Sequence, residues 1–158
     1  MPPSTAFSPS ATQPPTLLLT GYYRKRRHRV VAFGKVAALT ENSLMCLLDL
    51  CVGVFSTKSG FSSIPSLVGS PETMRLVIHR LRRDLAVALG DVVPLELITN
   101  NGRTHYRLAL ASSEIAGDPS FFELASPEVV STPVMDVLVE HLPVWNLVEL
   151  QEGIRIEY

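Results

Sequence analysis

Cysteine is almost missing from this sequence of 158 residues, in which Cys46 and Cys51 are the only two. They fall on different faces of one predicted helix, and no cluster of His and Cys supplies the remaining ligands of a zinc site. We therefore predict two buried, reduced thiols rather than a disulfide or a metal centre.

Long apolar runs are missing as well. No stretch approaches the roughly 20 apolar residues that a membrane-spanning helix needs. The first charged residue is Arg24, so the N-terminus lacks the basic segment of a secretory signal peptide. These absences predict a soluble intracellular protein, cytoplasmic and nucleoid-associated, or nuclear if its source is eukaryotic.

Motifs of catalysis are the third absence. The sequence has no glycine-rich phosphate loop, no H-E-x-x-H, no G-x-S-x-G and no D-x-D pair. Its four histidines are scattered, and a nucleophile and base pair of Cys46 and His79 would have no third group to orient it. We therefore expect neither an enzyme nor a protein with a bound cofactor or metal.

Charge is unevenly distributed, although the net charge is only −1. Residues 22–110 carry 13 Lys and Arg against 6 Asp and Glu, a net charge of +7. Residues 111–158 carry one Arg against 9 acids, a net charge of −8. A basic body favours polyanionic partners, and an acidic extension repels them.

Three segments follow from the composition. Residues 1–16 are rich in Pro, Ser and Thr and are predicted to be a disordered leader. Residues 17–110 form the predicted α+β domain, and residues 111–158 form an acidic extension of helix plus hairpin. Within the extension, Ala111–Ser120 is interpreted as a small-residue linker.

Short β-prone pieces open the domain. Leu17–Tyr23, Val30–Phe33 and Val36–Leu39 predict a small antiparallel sheet. The first break between them is a basic run, RKRRHR, over residues 24–29. It could be a nuclear-import signal, a phosphate-binding turn or a solvated connection. We favour the second, because sheet and helix would then share one basic body.

Three helices are predicted next. Thr40 caps a core helix from Glu41 to Phe55, a short helix runs from Ser63 to Gly69, and the third runs from Pro71 to Leu89 until Gly90 stops it. One side of the third helix is apolar and predicts a core contact. The apolar residues are Met74, Val77, Ile78, Leu81, Leu85 and Ala88. Its flank and back are basic, which is typical either of a solvated face or of a nucleic-acid reader.

The segment Leu95–Leu110 predicts a strand, a turn at Asn100, Asn101 and Gly102, and a second strand, with Arg103 at the tip. A short helix, a tight turn, a basic helix and a hairpin in this order are typical of a winged helix-turn-helix. The hairpin would then be the wing beside a recognition helix.

Residues 22–110 also resemble the effector domain of the OmpR/PhoB-type winged-helix response regulators. Leu39-Thr40 resembles that family's L-T-x-x-E helix start, with Ser43 in place of the Glu. Residues 77–85 resemble H-I-x-R-L-R-x-K-L, with Val77 and Asp84 as departures. Ile98-Thr99 and residues 106–108 resemble the wing, which is one residue longer here and has His105 where the family has Gly.

The resemblance implies a double-stranded DNA-binding protein. It implies that the major groove is faced by Thr73, Arg75, Leu76, His79 and Arg80, and that Arg82 contacts the backbone. Side-chain chemistry predicts nearly the same set. Arg75 suits guanine, His79 a base or phosphate, Arg82 and Arg83 phosphates, and Arg103 a minor groove or phosphate. No receiver domain precedes these residues, so the chain is expected not to be a two-component regulator by itself.

The role of the acidic extension stays open at this point. A helix over Val134–Leu142 and a hairpin of Val144–Leu150 with Ile154–Tyr158 are predicted. The extension could pack on the domain, form a homodimer that places two recognition helices on adjacent half-sites, or fold over the basic helix. The main expectation is a sequence-specific transcriptional regulator that contacts the transcription machinery. The rival is a winged-helix protein-interaction module that binds through the extension.

Overall fold

The chain folds as an α+β protein in which a small sheet packs beside helices. The computed structural model describes residues 15–56, 71–101, 105–123 and 132–145. The elements in chain order are β1 Leu17–Arg24, β2 Arg27–Ala32, β3 Lys35–Leu39, α1 Glu41–Ser56, α2 Pro71–Leu89, α3 Val92–Leu97, β4 Ile98–Asn101, β5 His105–Leu108, a 3-10 turn Ser112–Glu114, β6 Ile115–Gly117, α4 Pro119–Glu123 and α5 Thr132–His141.

The main sheet has the strand order β3-β2-β1-β6. The three N-terminal strands are antiparallel, as predicted, but β6 pairs with β1 in parallel, with Leu17 opposite Ile115. The sheet is therefore mixed, and the linker predicted over Ala111–Ser120 is wrong, because Ile115–Gly117 is a fully buried strand. Three residues, two of them small, cover the open edge of β1, since backbone pairing itself needs no large side chain.

The first four residues of β1 are all buried, because both faces of the sheet are covered. Leu17 and Leu19 face the main core, which the helices complete. Leu18 lies on the opposite face, where it packs in a smaller cluster with Trp145. A continuous apolar run at the start of β1 is the sequence counterpart of this two-sided burial.

Helix α1 confirms the prediction for the core helix. The Thr40 hydroxyl accepts a hydrogen bond from the Ser43 backbone N–H at 3.3 Å, which is the predicted N-cap. The predicted apolar face of α1 is buried. Near the C-terminal end of α1, Phe55 is half-buried. Its ring stacks on His141 of α5 with 5.6 Å between the ring centroids.

Helix α2 has the bounds that the sequence predicts. It ends where Gly90 adopts a φ of +85°, which glycine accommodates without strain. Ile78, Leu81 and Leu85 are buried in the main core. Val77 and Ala88 are half-buried and pack against them, so the predicted apolar side is the packed side; the side chain of Met74 and the predicted helix at Ser63–Gly69 lie outside the described residues.

The segment after α2 differs from its prediction at one end. The strand expected from Leu95 begins only at Ile98, because Val92–Leu97 forms α3 with Pro94 and Leu97 buried. Pro94 suits the first turn of a helix, where its missing N–H has no partner to lose. The hairpin of β4 and β5 is confirmed, but Asn100 and Asn101 both lie within β4, opposite Tyr106 and His105, rather than in the turn.

The apolar side of α5 packs against α1. Leu138, Leu142 and Trp145 are buried, and Val139 is about half exposed. An exposed apolar surface on the extension would favour the predicted homodimer, but the chain itself buries Leu138, Leu142 and Trp145. Homodimerisation therefore stays a prediction, and these buried side chains do not support it. Of the hairpin predicted from Val144, only Val144 and Trp145 lie within the described residues.

The two cysteines are buried free thiols of α1, as predicted. Burial raises the pKa of Cys46 to about 12, and Asp49 adds to the shift; burial also raises the pKa of Cys51. The ordinary pKa of a thiol is 9.0, and here the pKa is higher in the folded state. The contribution of such a thiol to stability is fully present below pH 9 and is lost as the pH rises through the folded pKa.

We therefore expect the free energy of unfolding to fall as the pH rises from about 9 towards 12. Urea unfolding at pH 8 and pH 10.5 measures the change. The Cys46→Ala/Cys51→Ala variant is the control and should show a flatter dependence on pH. An equal fall of stability in the variant would contradict the assignment to the thiols.

None of the helices in the described part of the chain is both long and apolar enough to cross a membrane.

Candidate nucleic-acid interface

The outer face of α2 carries the exposed cations of the predicted site. Arg75, Arg80 and Arg83 are exposed, and His79 lies among them. Among the side chains that the structure describes, which exclude that of Glu72, no carboxylate forms an ion pair with any of the three arginines. Since Ile78, Leu81 and Leu85 hold the opposite side in the core, the helix presents a fixed row of positive charge to solvent.

Two uncharged residues share this outer face. Leu76 is 47% exposed, and Thr73 is exposed near the N-terminal end of α2. Both were predicted to face a major groove, where an apolar side chain can contact a thymine methyl group. The structure therefore exposes six of the predicted contact residues, Arg83 included, on α2.

Arg82 lies on a different flank of the helix. Its side chain is half-buried, and its Nη2 donates a hydrogen bond to the Ile98 carbonyl oxygen. Ile98 is the first residue of β4, so Arg82 joins α2 to the base of the hairpin. The phosphate contact predicted for Arg82 stays a prediction, and the structure adds a positioning role for the same side chain.

Arg103, the residue predicted at the hairpin tip, lies outside the described residues. The strands that lead to it are described: β4 and β5 pair from Ile98 with Leu108 to Asn101 with His105. The hairpin follows α2 in the chain, with α3 between them. The hydrogen bond from Arg82 to Ile98 connects α2 with the first residue of the hairpin. The base of the hairpin thus lies beside α2.

Asp84 is one of the two acidic residues of α2, and sequence reasoning did not single it out as a functional or structural contact. It is buried, its Oδ1 lies 3.4 Å from Arg27 Nη1, and its Oδ2 accepts a hydrogen bond from the Thr40 N–H at 3.3 Å. One carboxylate thereby joins α2 to the start of β2 and to the N-terminus of α1. The signal was present, since Asp84 departs from the lysine of the family motif.

We expect Asp84→Ala to destabilise the fold by about 2 kcal/mol, because a buried charged acceptor is lost. The cost stays below that of a fully buried ion pair, since the Arg27 side chain is 44% exposed and can be solvated once it loses its partner. Urea unfolding measures the effect. Asp91→Ala, which removes an exposed carboxylate just after α2, is the control and should change stability by less than about 0.5 kcal/mol.

His28 does not add charge to the basic run at neutral pH. It is buried beneath Tyr23, with 4.6 Å between the two ring centroids. Burial lowers the pKa of His28 below 6.5, and the nearby Glu41 opposes the shift only in part. The cations of this run are therefore its arginines and its lysine.

The described residues contain no group of three or more His, Cys, Asp or Glu side chains that could hold a metal ion. No family model, curated protein or solved structure matches this chain. The candidate site is therefore defined by features of this chain alone. They are the basic outer face of α2, whose other side is buried, and the hairpin that Arg82 connects to α2.

Proposed function

We propose that this protein is a winged-helix protein that binds double-stranded DNA and regulates transcription. Residues 72–89 of α2 would read the major groove, and the hairpin within residues 95–110 would contact the backbone or minor groove. The observation that carries the proposal is the outer face of α2, where Arg75, Arg80 and Arg83 project from a helix whose other side is buried.

The dimensions and the chemistry of this face suit a major groove. A helix with its side chains is about 10–12 Å across, close to the roughly 12 Å width of the groove. Arg75 can donate two hydrogen bonds to guanine, and His79 lies one turn further along the same side, within reach of the next base or phosphate. Arg80 and Arg83 lie further round the helix. The family resemblance places Arg80 at the major groove as well, and Arg83 suits a phosphate that borders it.

The order of elements supports the winged-helix assignment. A core helix, α1, precedes the basic helix, α2, and a two-stranded hairpin follows it. The resemblance of residues 22–110 to the OmpR/PhoB-type effector domain points the same way. In this arrangement Arg103 would lie at the wing tip and contact the minor groove or a phosphate.

The direct test is a filter-binding titration of the full chain with pooled genomic duplex fragments at about 50 and 200 mM salt. A protein that neutralises several phosphates loses about 0.9 units of log affinity per unit of log salt for each contact. We expect binding at the lower salt and a steep loss at the higher. Absence of binding at both concentrations would contradict the proposal.

A protein-interaction module has one observation in its favour, which lies on α2 and α3 and not on the acidic extension through which the rival is predicted to bind. Val87, Val92 and Leu95 are 89%, 64% and 61% exposed around the corner between α2 and α3. Exposed apolar residues close together in the chain are typical of protein contacts. This rival does not use the arginines of α2, so the salt titration separates the two functions.

A further inference from the structure

The turn between β1 and β2 is built from residues that such a turn disfavours. Arg24 pairs with Arg27, so the loop contains only Lys25 and Arg26, and both have positive φ angles, 55° and 63°. This is the type I′ hairpin turn, in which Asn-Gly is the preferred pair. Outside glycine and asparagine, a left-handed backbone conformation is sterically disfavoured.

The neighbouring hairpin provides an internal comparison. Between β2 and β3 the loop is Phe33 and Gly34, again two residues with positive φ, 51° and 77°. The second turn places glycine at the position where the first turn places Arg26. Both turns hold a non-glycine residue at the first loop position, so they differ only at the second, where the first turn keeps Arg26 with a positive φ in place of glycine. Backbone strain that is retained at a cation in this way is typical of a functional position.

The structure also separates the roles of the cations in the basic run. Arg27 pairs with Asp84, and Arg29 Nη2 donates a hydrogen bond to the Arg24 carbonyl at 3.3 Å, so these two side chains hold the hairpin. The side chains of Arg24, Lys25 and Arg26 are exposed. Among the described residues, none of these three forms an ion pair with a carboxylate.

The ion pair of Arg27 with Asp84 places this tip beside α2. Asp84 is next to Arg83 in the chain and lies one helical turn after Arg80, so Arg80 and Asp84 are neighbours on the helix surface. The tip of the hairpin and the outer face of α2 thus border the same buried carboxylate. The exposed cations of the turn and of α2 therefore lie on two elements that this carboxylate joins.

We infer that Arg24, Lys25 and Arg26 form a second phosphate-binding site, which contacts the DNA backbone beside the groove entered by α2. The inference rests on the proposed function and extends it to a ligand, the phosphodiester backbone of the same duplex. A rigid two-residue turn holds its cations at fixed positions, so it loses less side-chain and backbone freedom on binding than a flexible basic tail. Its contacts carry no base preference.

The test uses Lys25→Asn/Arg26→Gly in the full chain. This pair removes two charges and installs the preferred type I′ residues, so the variant should unfold at a higher temperature than the original protein. For duplex DNA we expect affinity to fall on the order of tenfold at 0.1 M salt, and the log–log salt slope to shrink by about 1.8, which corresponds to two phosphate contacts. The loss should be the same for unrelated sequences.

Lys35→Asn, compared with Lys25→Asn, is the matched control. Lys35 is exposed beside the other turn, and the six residues of β2 place it about 20 Å from the tip. Its removal should leave the salt slope unchanged, and an equal loss in both lysine variants would overturn the site because only total charge would matter.

Three other results would also overturn the site, and they differ in what they say of the proposed function. If the original protein binds duplex DNA and the double variant binds it with unchanged slope, the site is wrong and the proposed function stands. If the original protein binds no duplex, both fail. If single-stranded RNA of equal length binds more tightly than the duplex through the same two charges, the partner is RNA.

Discussion

A chain that ends after Leu110 is expected to lose its cooperative unfolding transition. The extension was predicted to be a separate segment beyond a linker, and on that basis its removal would leave the domain intact. The structure places β6 in the main sheet and places Phe121, Leu138 and Leu142 in the main core. Truncation would therefore remove part of the domain itself.

The expected cost exceeds what a domain of this size can lose. Truncating a buried Phe or Leu to Ala costs about 2–5 kcal/mol at a single site, and native domains have only about 5–15 kcal/mol of net stability. Removal of residues 111–158 takes away three such side chains at once. It also exposes the edge of β1 at Leu17 and Leu19, where unpaired backbone groups invite aggregation.

Circular dichroism and urea unfolding of the full and truncated chains measure this effect. Because a truncated chain can aggregate, Phe121→Ala in the full chain provides a second measurement and should cost about 3–5 kcal/mol. Val139→Ala, at a half-exposed position of α5, is the control and should cost far less. A truncated chain that unfolds at the original urea midpoint would show that the extension does not stabilise the domain.

The second large effect is expected from Arg75→Ala/Arg80→Ala/Arg83→Ala in α2. If all three arginines contact DNA, affinity for duplex falls by several kcal/mol, since each bidentate base contact contributes about 1–3 kcal/mol. The salt slope should also shrink by about 0.9 for each of the three that contacts a phosphate. Arg82 is left in place, because its bond to Ile98 supports the hairpin.

Filter binding at several salt concentrations measures the loss, and circular dichroism checks that the variant is folded. Alanine is the best helix former, and the three positions are exposed, so α2 should be preserved. Lys35→Ala is the control for a cation outside the surface. Original affinity and original salt slope in a folded triple variant would remove α2 from the interface and favour the protein-interaction function.

Much of this fold could be predicted from local patterns. The spacing of apolar residues predicts α1 and α2, and Thr40 and Gly90 mark ends that the backbone confirms. These elements are readable because one buried side produces a period of 3.6 residues and because caps act within one turn. The outer face of α2 follows from the same wheel, so the exposure of Arg75 and Arg83 was predictable as well.

Other features depend on contacts between distant parts of the chain. The sequence of β6 is only three residues long, and its identity as a strand comes from the open edge of β1 about a hundred residues earlier. The helix at Val92–Leu97 alternates only over its last three residues, and burial of Pro94 and Leu97, three residues apart, fits a helix. Short apolar segments carry too little periodicity to choose between strand and helix.

The sequence by itself determined the positions of the core helices, the basic outer face of α2 and the asymmetry of charge, because each depends on residue type and local spacing. Only the tertiary structure decided what the cations do. It assigns Arg82 and Arg27 to internal contacts with Ile98 and Asp84, and leaves Lys25 at an exposed, strained turn. Identical charges acquire different roles because a guanidinium that meets a buried acceptor stabilises the fold, whereas an exposed cation remains available to a partner.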